Sequence, residues 1–533
     1  MFDTSSFPGS RIPGSVIVPR GQAESLRALA NRYSLTTGAR LTMLALVLTG
    51  VALRVWHFRA NYSLNHDDIC LALNVIRRNA GGLTRTLDFD QAAPLGFLLI
   101  ERAMVRLMGP GEQALRLIPF LCGCLSVVLI SRLAKSLLPP FEAIVAIGFF
   151  AFSQAMIESG IQVKPYSLDV LVAVILVSVC LPLMRGATTQ RERIAAAATG
   201  ALALWVSLPA FFMLIGMGAI IGGLATVERD RAAFRRLIPI ICVWTISAGG
   251  AFWFSARPGL LNRNLALLDS DYQFPIHLPA RIVPWTIQAA YNLGSISTSV
   301  RLAPLAAITL VVSLTLMLFR RDRISLLLSA PIAVCLLATI AQKYPWLPRL
   351  IFFTVPLILI ITARQVGGIV RQSSHAIRVV AASIVAIALV YSGLSGFKNV
   401  VIYGSGFDDP KGAVAAIAKI CQPGDQIYAS DAAMPCIIYY RMILHAPDLN
   451  FVSSRNLAYV PNETKRIVAL PKLEGRLWFV YFEPNEKDFD RRVLAYFHRD
   501  GSLISSSRHK NFIVALWDLH PPPKPVPPSK PVQ

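Results

Sequence analysis

Two adjacent carboxylates, Asp67 and Asp68, follow His66 shortly after an apolar segment at residues 41–56. That segment has the composition of a membrane-spanning helix, so we expect the acidic pair at a membrane surface. Neighbouring carboxylates repel each other unless a cation or a transferred proton offsets their charge. The pair is therefore a candidate catalytic or metal-binding site. The alternative is that an aspartate caps a helix just outside the bilayer.

The composition indicates a membrane protein. The chain has 533 residues, of which 54% are hydrophobic and 15% charged, whereas soluble domains carry about 25% charged residues. The net charge of +22 does not indicate nucleic acid binding, because the basic residues form no recognition motif and lie between apolar runs. Eight cysteines occur without CxxC pairs or zinc spacing, so no zinc finger is predicted.

The order of apolar runs predicts a multi-pass α-helical protein with a cytoplasmic tail at residues 1–40 and a transmembrane catalytic domain at 41–397. Residues 59–115 form the first outer loop, with amphipathic helices beginning near Ile69 and Pro94 that are expected to lie in the membrane interface. Arginine-dense loops alternate with longer, less basic ones, as the positive-inside rule requires. Eleven spans are predicted at 41–56, 117–133, 143–157, 165–184, 194–207, 209–227, 237–254, 302–319, 324–340, 350–362 and 379–394.

An odd number of spans places residues 398–520 on the extracytoplasmic side, where the pattern predicts a small α/β domain. A helix is predicted at 411–420, and strands at 427–429, 477–482 and 512–517. Residues 521–533 are rich in proline and lysine and are expected to be extended or disordered. Cys421 and Cys436 either pair in an oxidising compartment or are two small buried thiols, and the second alternative is favoured.

Three motifs in order carry a family resemblance. The first is Asp67-Asp68, and the second is Ala93-Pro94-Leu95 followed by Gly111, Ala114-Leu115-Arg116-Leu117 and Pro119. The third is Gln162-Val163-Lys164-Pro165-Tyr166-Ser167-Leu168. Over roughly residues 40–400 this set resembles the GT-C membrane glycosyltransferases of the protein-mannosyltransferase and lipid A aminoarabinose transferase type. Relatives often have Asp-Glu, Pro-Pro-Leu and Glu-x-Arg-Pro-Tyr-x-Leu in these places.

Two departures from the family pattern affect the third motif. Gln162 replaces the usual acid, which puts a metal ligand at that position in doubt. Lys164 replaces the usual arginine and keeps the charge without the fork geometry. The outer segment from Lys343 to Arg349 also resembles the basic, aromatic loop that these enzymes have before a late span.

The resemblance implies transfer of a sugar from a polyprenyl phosphate donor to a lipid, polysaccharide or protein acceptor at the outer surface of the bacterial inner membrane. Asp67 is the expected base that takes the acceptor proton. Asp68 is expected to hold a metal or to orient the acceptor. Lys164, Lys343 and Arg349 are the candidates that stabilise the leaving phosphate.

Six further residues are weaker candidates. Glu158 is a second acid or, with Asp67 and Asp68, a ligand for a divalent metal, unless it is a solvated carboxylate at a helix end. His66 either tunes the acidic pair or is a polar neighbour. Tyr166 and Tyr344 belong to the two basic motifs. Arg77 and Arg78 are better explained by contact with anionic lipid headgroups.

Two other functions share some of these features. A secondary transporter also has many spans, but it is expected to place charges and broken helices near mid-membrane and to show repeated halves. An O-antigen polymerase or ligase uses the same lipid-linked substrates and is expected to have a large late outer loop as its centre. Here the charges cluster at the outer surface and the first loop is the richer one, which favours the glycosyltransferase.

Overall fold

A computed structural model gives the fold of the chain. It describes residues 36–185, 188–260, 272–320, 322–402, 408–430, 433–446, 450–453, 475–482, 494–495, 497–499 and 501–519. The predicted tails lie outside these ranges, apart from the last residues of the N-terminal one.

Helices form most of the described chain. In chain order they are α1 (Thr37–Arg59), α2 (His66–Arg77), α3 (Leu95–Met108), α4 (Glu112–Leu137), α5 (Pro140–Phe152), α6 (Gln154–Glu158), α7 (Tyr166–Cys180), α8 (Gln190–Val206), α9 (Ala210–Val227), α10 (Arg231–Ala251), α11 (Arg257–Leu260), α12 (Ile282–Ser297), α13 (Ala303–Arg320), α14 (Arg323–Ile340), α15 (Val355–Gln372), α16 (His375–Phe397), α17 (Pro410–Ile420) and α18 (Met434–Ile443).

Each of the eleven predicted spans coincides with a helix. By length and composition, eight helical segments of the described chain are able to cross a membrane, or nine if α5 and α6 form one bent span. Helix α8 has 17 residues, and helix α13 has a shorter apolar stretch. Neither is long and apolar enough to count among these eight. A multi-pass helical fold is therefore confirmed, and the number eleven stays a prediction. Helix α12 lies between the spans predicted at 237–254 and 302–319, where the sequence predicted a loop and no helix.

The bent span brings the Lys164 motif to the site. Its two halves meet at Ser153 with an angle of 56°, and the Ser153 hydroxyl accepts a hydrogen bond from the Met156 amide at 3.3 Å. The buried Arg54 of α1 donates to the Ala151 carbonyl at 3.2 Å. A positive charge at the carboxyl end of α5 complements the helix dipole, so the break is stabilised where the chain turns towards residues 158–164.

Helix α2 carries the acidic pair in its first turn. Its cap is Asn65, whose side chain accepts a hydrogen bond from the Asp68 amide at 2.8 Å, so the capping role considered for an aspartate belongs to Asn65. The apolar face of α2, with Ile69 and Leu73, lies in a core shared with the C-terminal domain. The prediction that this face meets lipid was wrong, because another part of the chain covers it.

The C-terminal domain is an α/β unit built on a five-stranded sheet in the order β2-β1-β3-β5-β4. Strand β1 is parallel to β2 and β3, whereas β3, β5 and β4 are antiparallel. Helices α17 and α18 and the apolar face of α2 cover one side of the sheet. The strands are β1 (Gln426–Ala429), β2 (Asn450–Ser453), β3 (Gly475–Phe482), β4 (Gly501–His509) and β5 (Phe512–Leu519).

The predicted helix and the three predicted strands of this domain are all present. Helix α18 and strands β2 and β4 were missed. Cys421 and Cys436 are both free thiols, and of the burial expected for both only that of Cys436 is found, since Cys421 is partly exposed. Asp425 fixes β1 against β3, because it accepts hydrogen bonds from Arg476 at 2.8 Å and from the Trp478 indole at 2.9 Å.

Candidate active site

Arg116 of α4 joins the two loops that form the site. Its guanidinium is buried and donates to the Ile161 carbonyl at 2.7 Å. It also donates to the carbonyls of Tyr62 at 2.5 Å and Ser63 at 3.1 Å. One side chain therefore holds the loop before Asp67 and the loop before Lys164 on the same helix end.

Asp67 lies among three polar side chains from distant parts of the sequence. Its Oδ2 is 3.1 Å from Arg349 Nη1 and 3.9 Å from Lys164 Nζ, and Gln91 Nε2 donates to Oδ1 at 3.5 Å. The Asp67 side chain is 39% exposed, so it remains accessible to a substrate. The sequence predictions for Asp67, Lys164 and Arg349 thus converge on one cluster.

The two cations determine the protonation of Asp67. Lys164, with a further contribution from Arg349, lowers the pKa of this carboxyl to about 2 against the opposing effect of burial. The Asp67 carboxylate is therefore ionised throughout the physiological range, and in the free protein it serves as the counter-ion of both cations.

Asp68 has a different environment from its neighbour. Its side chain is buried, and Oδ1 accepts a hydrogen bond from the Val163 amide at 3.0 Å. Burial raises the pKa of Asp68 to about 7, against the effects of Lys164 and Arg116. Asp68 thus fixes the residue next to Lys164. The side chain is enclosed by protein, and the role of Asp68 in orienting the acceptor stays a prediction.

Gln91 is the member of the cluster that the sequence did not reveal. It is buried, and its Oε1 accepts a hydrogen bond from Lys164 Nζ at 2.5 Å. The two residues before it, Phe89 and Asp90, have φ angles of 60° and 53°, which are uncommon for residues other than glycine. The sequence signal that could have identified Gln91 is its position two residues before the Ala-Pro-Leu motif at 93–95.

His66 lies at the edge of the cluster. Its ring stacks on Phe482 of the C-terminal domain with centroids 5.9 Å apart, and a ring nitrogen lies 3.6 Å from Cys70 Sγ. Burial lowers the pKa of His66, with Asp67 opposing the shift. A neutral imidazole is therefore expected at pH 7, so His66 adds little positive charge to the cluster.

The two tyrosine candidates pack behind the cations. Tyr344 donates to the Leu350 carbonyl at 3.0 Å and so braces the turn that carries Arg349. Tyr166 is buried and meets Phe352 edge-on, with ring centroids 5.9 Å apart. Both side chains support the geometry of the site through packing and hydrogen bonding.

Two predicted site residues are not brought into the cluster. Lys343 is exposed, and no described contact links its side chain to Asp67. Glu158 accepts a hydrogen bond from Gln154 at 2.7 Å instead. Among the described residues, no group of three or more His, Cys, Asp or Glu side chains is placed to hold a metal ion. The ligand set predicted from Asp67, Asp68 and Glu158 is therefore not assembled.

Comparison with solved structures defines the class of fold. ArnT from Cupriavidus metallidurans bound to undecaprenyl phosphate matches 90% of this chain and 98% of its own, with a TM-score of 0.51 and 14% identity. The same protein in the apo state gives 0.52 over the same shares, also at 14% identity. The oligosaccharyltransferase of Archaeoglobus fulgidus with zinc and sulfate gives 0.49 at 12% identity, over 83% of this chain and 68% of its own. The two ArnT structures show that the fold of this chain is similar to that of ArnT.

The sequence comparison agrees with this class. Residues 91–248 match the family described as dolichyl-phosphate-mannose-protein mannosyltransferase. Curated protein sequences give no match. The resemblance to GT-C glycosyltransferases of the mannosyltransferase and ArnT type, inferred from the three motifs, is thus confirmed.

Proposed function

We propose that this protein is an integral membrane glycosyltransferase that moves a sugar from a polyprenyl-phosphate-linked donor to an acceptor on the outer face of the membrane. The observation that carries the proposal is the half-exposed Asp67 beside Lys164 and Arg349. A carboxylate that accepts a proton, next to two cations that accept a phosphate, is what this reaction requires.

The reaction assigns a role to each of these three residues. Asp67 takes the proton of the acceptor hydroxyl or amide while the acceptor atom bonds to the anomeric carbon of the sugar. The bond from that carbon to the phosphate oxygen breaks, and its electron pair leaves with the polyprenyl phosphate. Lys164 and Arg349 stabilise the negative charge that develops on the phosphate.

Donor binding also activates the base. A carboxylate with a pKa of about 2 is a weak proton acceptor, because a catalytic base works best with a pKa near the operating pH. The donor phosphate binds the same two cations and takes over part of their charge. The pKa of Asp67 then rises towards its ordinary value, and the base becomes effective when the donor is in place.

The comparisons support the donor class. The structurally similar ArnT was solved with undecaprenyl phosphate, and the matching family is named for dolichyl-phosphate-mannose. The first compound is a polyprenyl phosphate without a sugar, and the second is a sugar linked to a carrier of the same chemical class. The transporter alternative lacks such support.

The test is a transfer assay with the purified protein in lipid nanodiscs. Radiolabelled polyprenyl phosphate-sugar is supplied with extracted membrane lipids, glycans or proteins as acceptors. We expect release of polyprenyl phosphate and label on an acceptor, both absent when Asp67→Asn replaces the natural protein. Uptake of intact donor into proteoliposomes without release of polyprenyl phosphate would instead identify a carrier.

We further propose that the C-terminal domain and Asp67 lie outside the cell membrane, opposite the N-terminus. The domain packs on the Asp67 loop through Tyr440 and Asp409, which supports a common side.

In a background with Cys242→Ser and Cys421→Ser, the exposed Ser506→Cys is expected to react with an impermeant thiol reagent in intact spheroplasts. Ser374→Cys, in the turn between α15 and α16, is expected to react only after lysis. The reverse pattern would overturn the predicted orientation.

A further inference from the structure

A tyrosine hydroxyl of the C-terminal domain lies between the loop that precedes Asp67 and the first turn of α4. The Leu64 amide donates to Tyr440 Oη at 2.7 Å, and Tyr440 Oη donates to Glu112 Oε1 at 2.7 Å. Tyr440 is fully buried. Each hydrogen bond therefore forms in a low-dielectric environment, where leaving a partner unpaired is costly.

Glu112 connects this hydroxyl to further anchors. Its other oxygen, Oε2, accepts hydrogen bonds from Asn61 at 3.2 Å and from Lys411 at 3.0 Å. The carboxylate is buried at the first turn of α4, a position that suits negative charge. Glu112 thus links the start of the Asp67 loop, the start of α4 and the first turn of α17.

A second contact secures the same loop. The Ser63 hydroxyl donates to Asp409 Oδ1 at 2.7 Å, so the C-terminal domain holds both Ser63 and Leu64. Asn65 then caps α2, and Asp67 follows in the first turn. The backbone that determines where Asp67 lies is therefore fixed from the C-terminal domain as well as by Arg116.

We infer that Tyr440 is a positioning residue for the proposed transfer reaction, which makes the C-terminal domain part of the active site. Through Leu64 and Glu112 it fixes the entry to α2 and thereby the distance from Asp67 to Lys164 and Arg349. The inference rests on the proposed function. No described hydrogen bond joins Tyr440 to Asp67, so its effect is on geometry, and small displacements of a catalytic group lower rates strongly.

The neighbouring tyrosine offers a matched control. Tyr439 is equally buried, lies on the same helix, and donates to the Pro110 carbonyl at 2.9 Å. Tyr440→Phe and Tyr439→Phe each remove one hydroxyl of the C-terminal domain, which makes two hydrogen bonds to the membrane domain in the first case and one in the second. Only the first removes a link to the loop of the acidic pair.

In the transfer assay, Tyr440→Phe is expected to lower kcat by about 10- to 100-fold, with a much smaller change in donor KM because Lys164 and Arg349 remain. Tyr439→Phe is expected to keep kcat within about threefold of the natural protein. Tyr440→Phe should lose somewhat more thermal stability than Tyr439→Phe, because it leaves two partners without a hydrogen bond and the control leaves one, so kcat is compared at a temperature where both variants are folded. Equal kcat values for the two variants would overturn the inference.

Hydrogen exchange gives a second readout that does not depend on catalysis. The Leu64 amide loses its acceptor in Tyr440→Phe, so its exchange is expected to become faster in that variant only. Unchanged exchange at Leu64 would contradict the positioning role. A natural protein without transfer activity would count against the proposed function, and the exchange result would still decide whether Tyr440 holds the loop.

Discussion

Asp67→Asn is expected to lower the rate of sugar transfer by about 10²- to 10⁴-fold, the range that positioned general bases contribute. Asparagine keeps the size of the side chain and an oxygen that accepts the hydrogen bond from Gln91. It does not take up a proton from the acceptor. The loss should fall on kcat, because the two cations that bind the donor phosphate are retained.

The same substitution is expected to leave the protein folded. The ion pair of Asp67 with Arg349 joins two partly exposed side chains, and such pairs contribute little, about 0–1 kcal/mol. The buried Lys164 is 3.9 Å from Asp67 and keeps its hydrogen bond to Gln91 in the variant. The N-cap of α2 is Asn65, so Asp67→Asn does not remove a cap. Thermal unfolding in detergent measures this, and a nearly unchanged midpoint would assign the lost activity to chemistry.

Asp68→Asn is the matched control for Asp67→Asn. Its amide oxygen still accepts the hydrogen bond from the Val163 amide, and burial already favours the protonated form of Asp68. We therefore expect a smaller loss than for Asp67→Asn. A loss as large, reversed by added divalent cation, would indicate a metal role for Asp68. A folded Asp67→Asn protein with full activity would remove Asp67 from the mechanism and weaken the functional assignment.

The parts of the site that the sequence predicted are those with a local signal. The acidic pair follows a span directly, and the Lys164 motif stands just before another, so apolar runs located both. Lys343 and Arg349 belong to one short loop, and composition gave no means to choose between them. The turn braced by Tyr344 places Arg349 beside Asp67 and leaves Lys343 exposed.

The contacts that the sequence did not predict join distant segments. Gln91 meets Lys164 across 73 positions, and Tyr440 meets Glu112 across 328. Neither pairing follows from local periodicity. The apolar face of α2 illustrates the same limit, because a periodic pattern shows which face is buried and not whether lipid or protein covers it. Strand β4 was missed because its serine run, Ser505 to Ser507, lacks the residues enriched in strands.

Lys164→Ala is expected to raise the donor KM and slow transfer, with kcat/KM reduced by about 10- to 150-fold. A charge-assisted contact contributes about 1.5–3 kcal/mol, and about 1.4 kcal/mol corresponds to a factor of ten. The Lys164 side chain is only 8% exposed, so its ammonium group is held inside the site and does not extend into water. Lys164→Arg keeps the charge and is expected to retain part of the activity.

The control for Lys164→Ala is Arg77→Ala, which removes an exposed charge at the end of α2 and is expected to change kcat/KM little.

The pH dependence of kcat/KM in these two variants separates a role of Lys164 in the site from a general effect of lost charge. Lys164 is the largest cause of the lowered pKa of Asp67, so its removal raises that pKa. The base must be ionised, and the acid limb of kcat/KM should therefore move to higher pH in Lys164→Ala and stay in place in Arg77→Ala. Wild-type kinetics and an unmoved acid limb in Lys164→Ala would show that this lysine neither binds the donor phosphate nor controls Asp67.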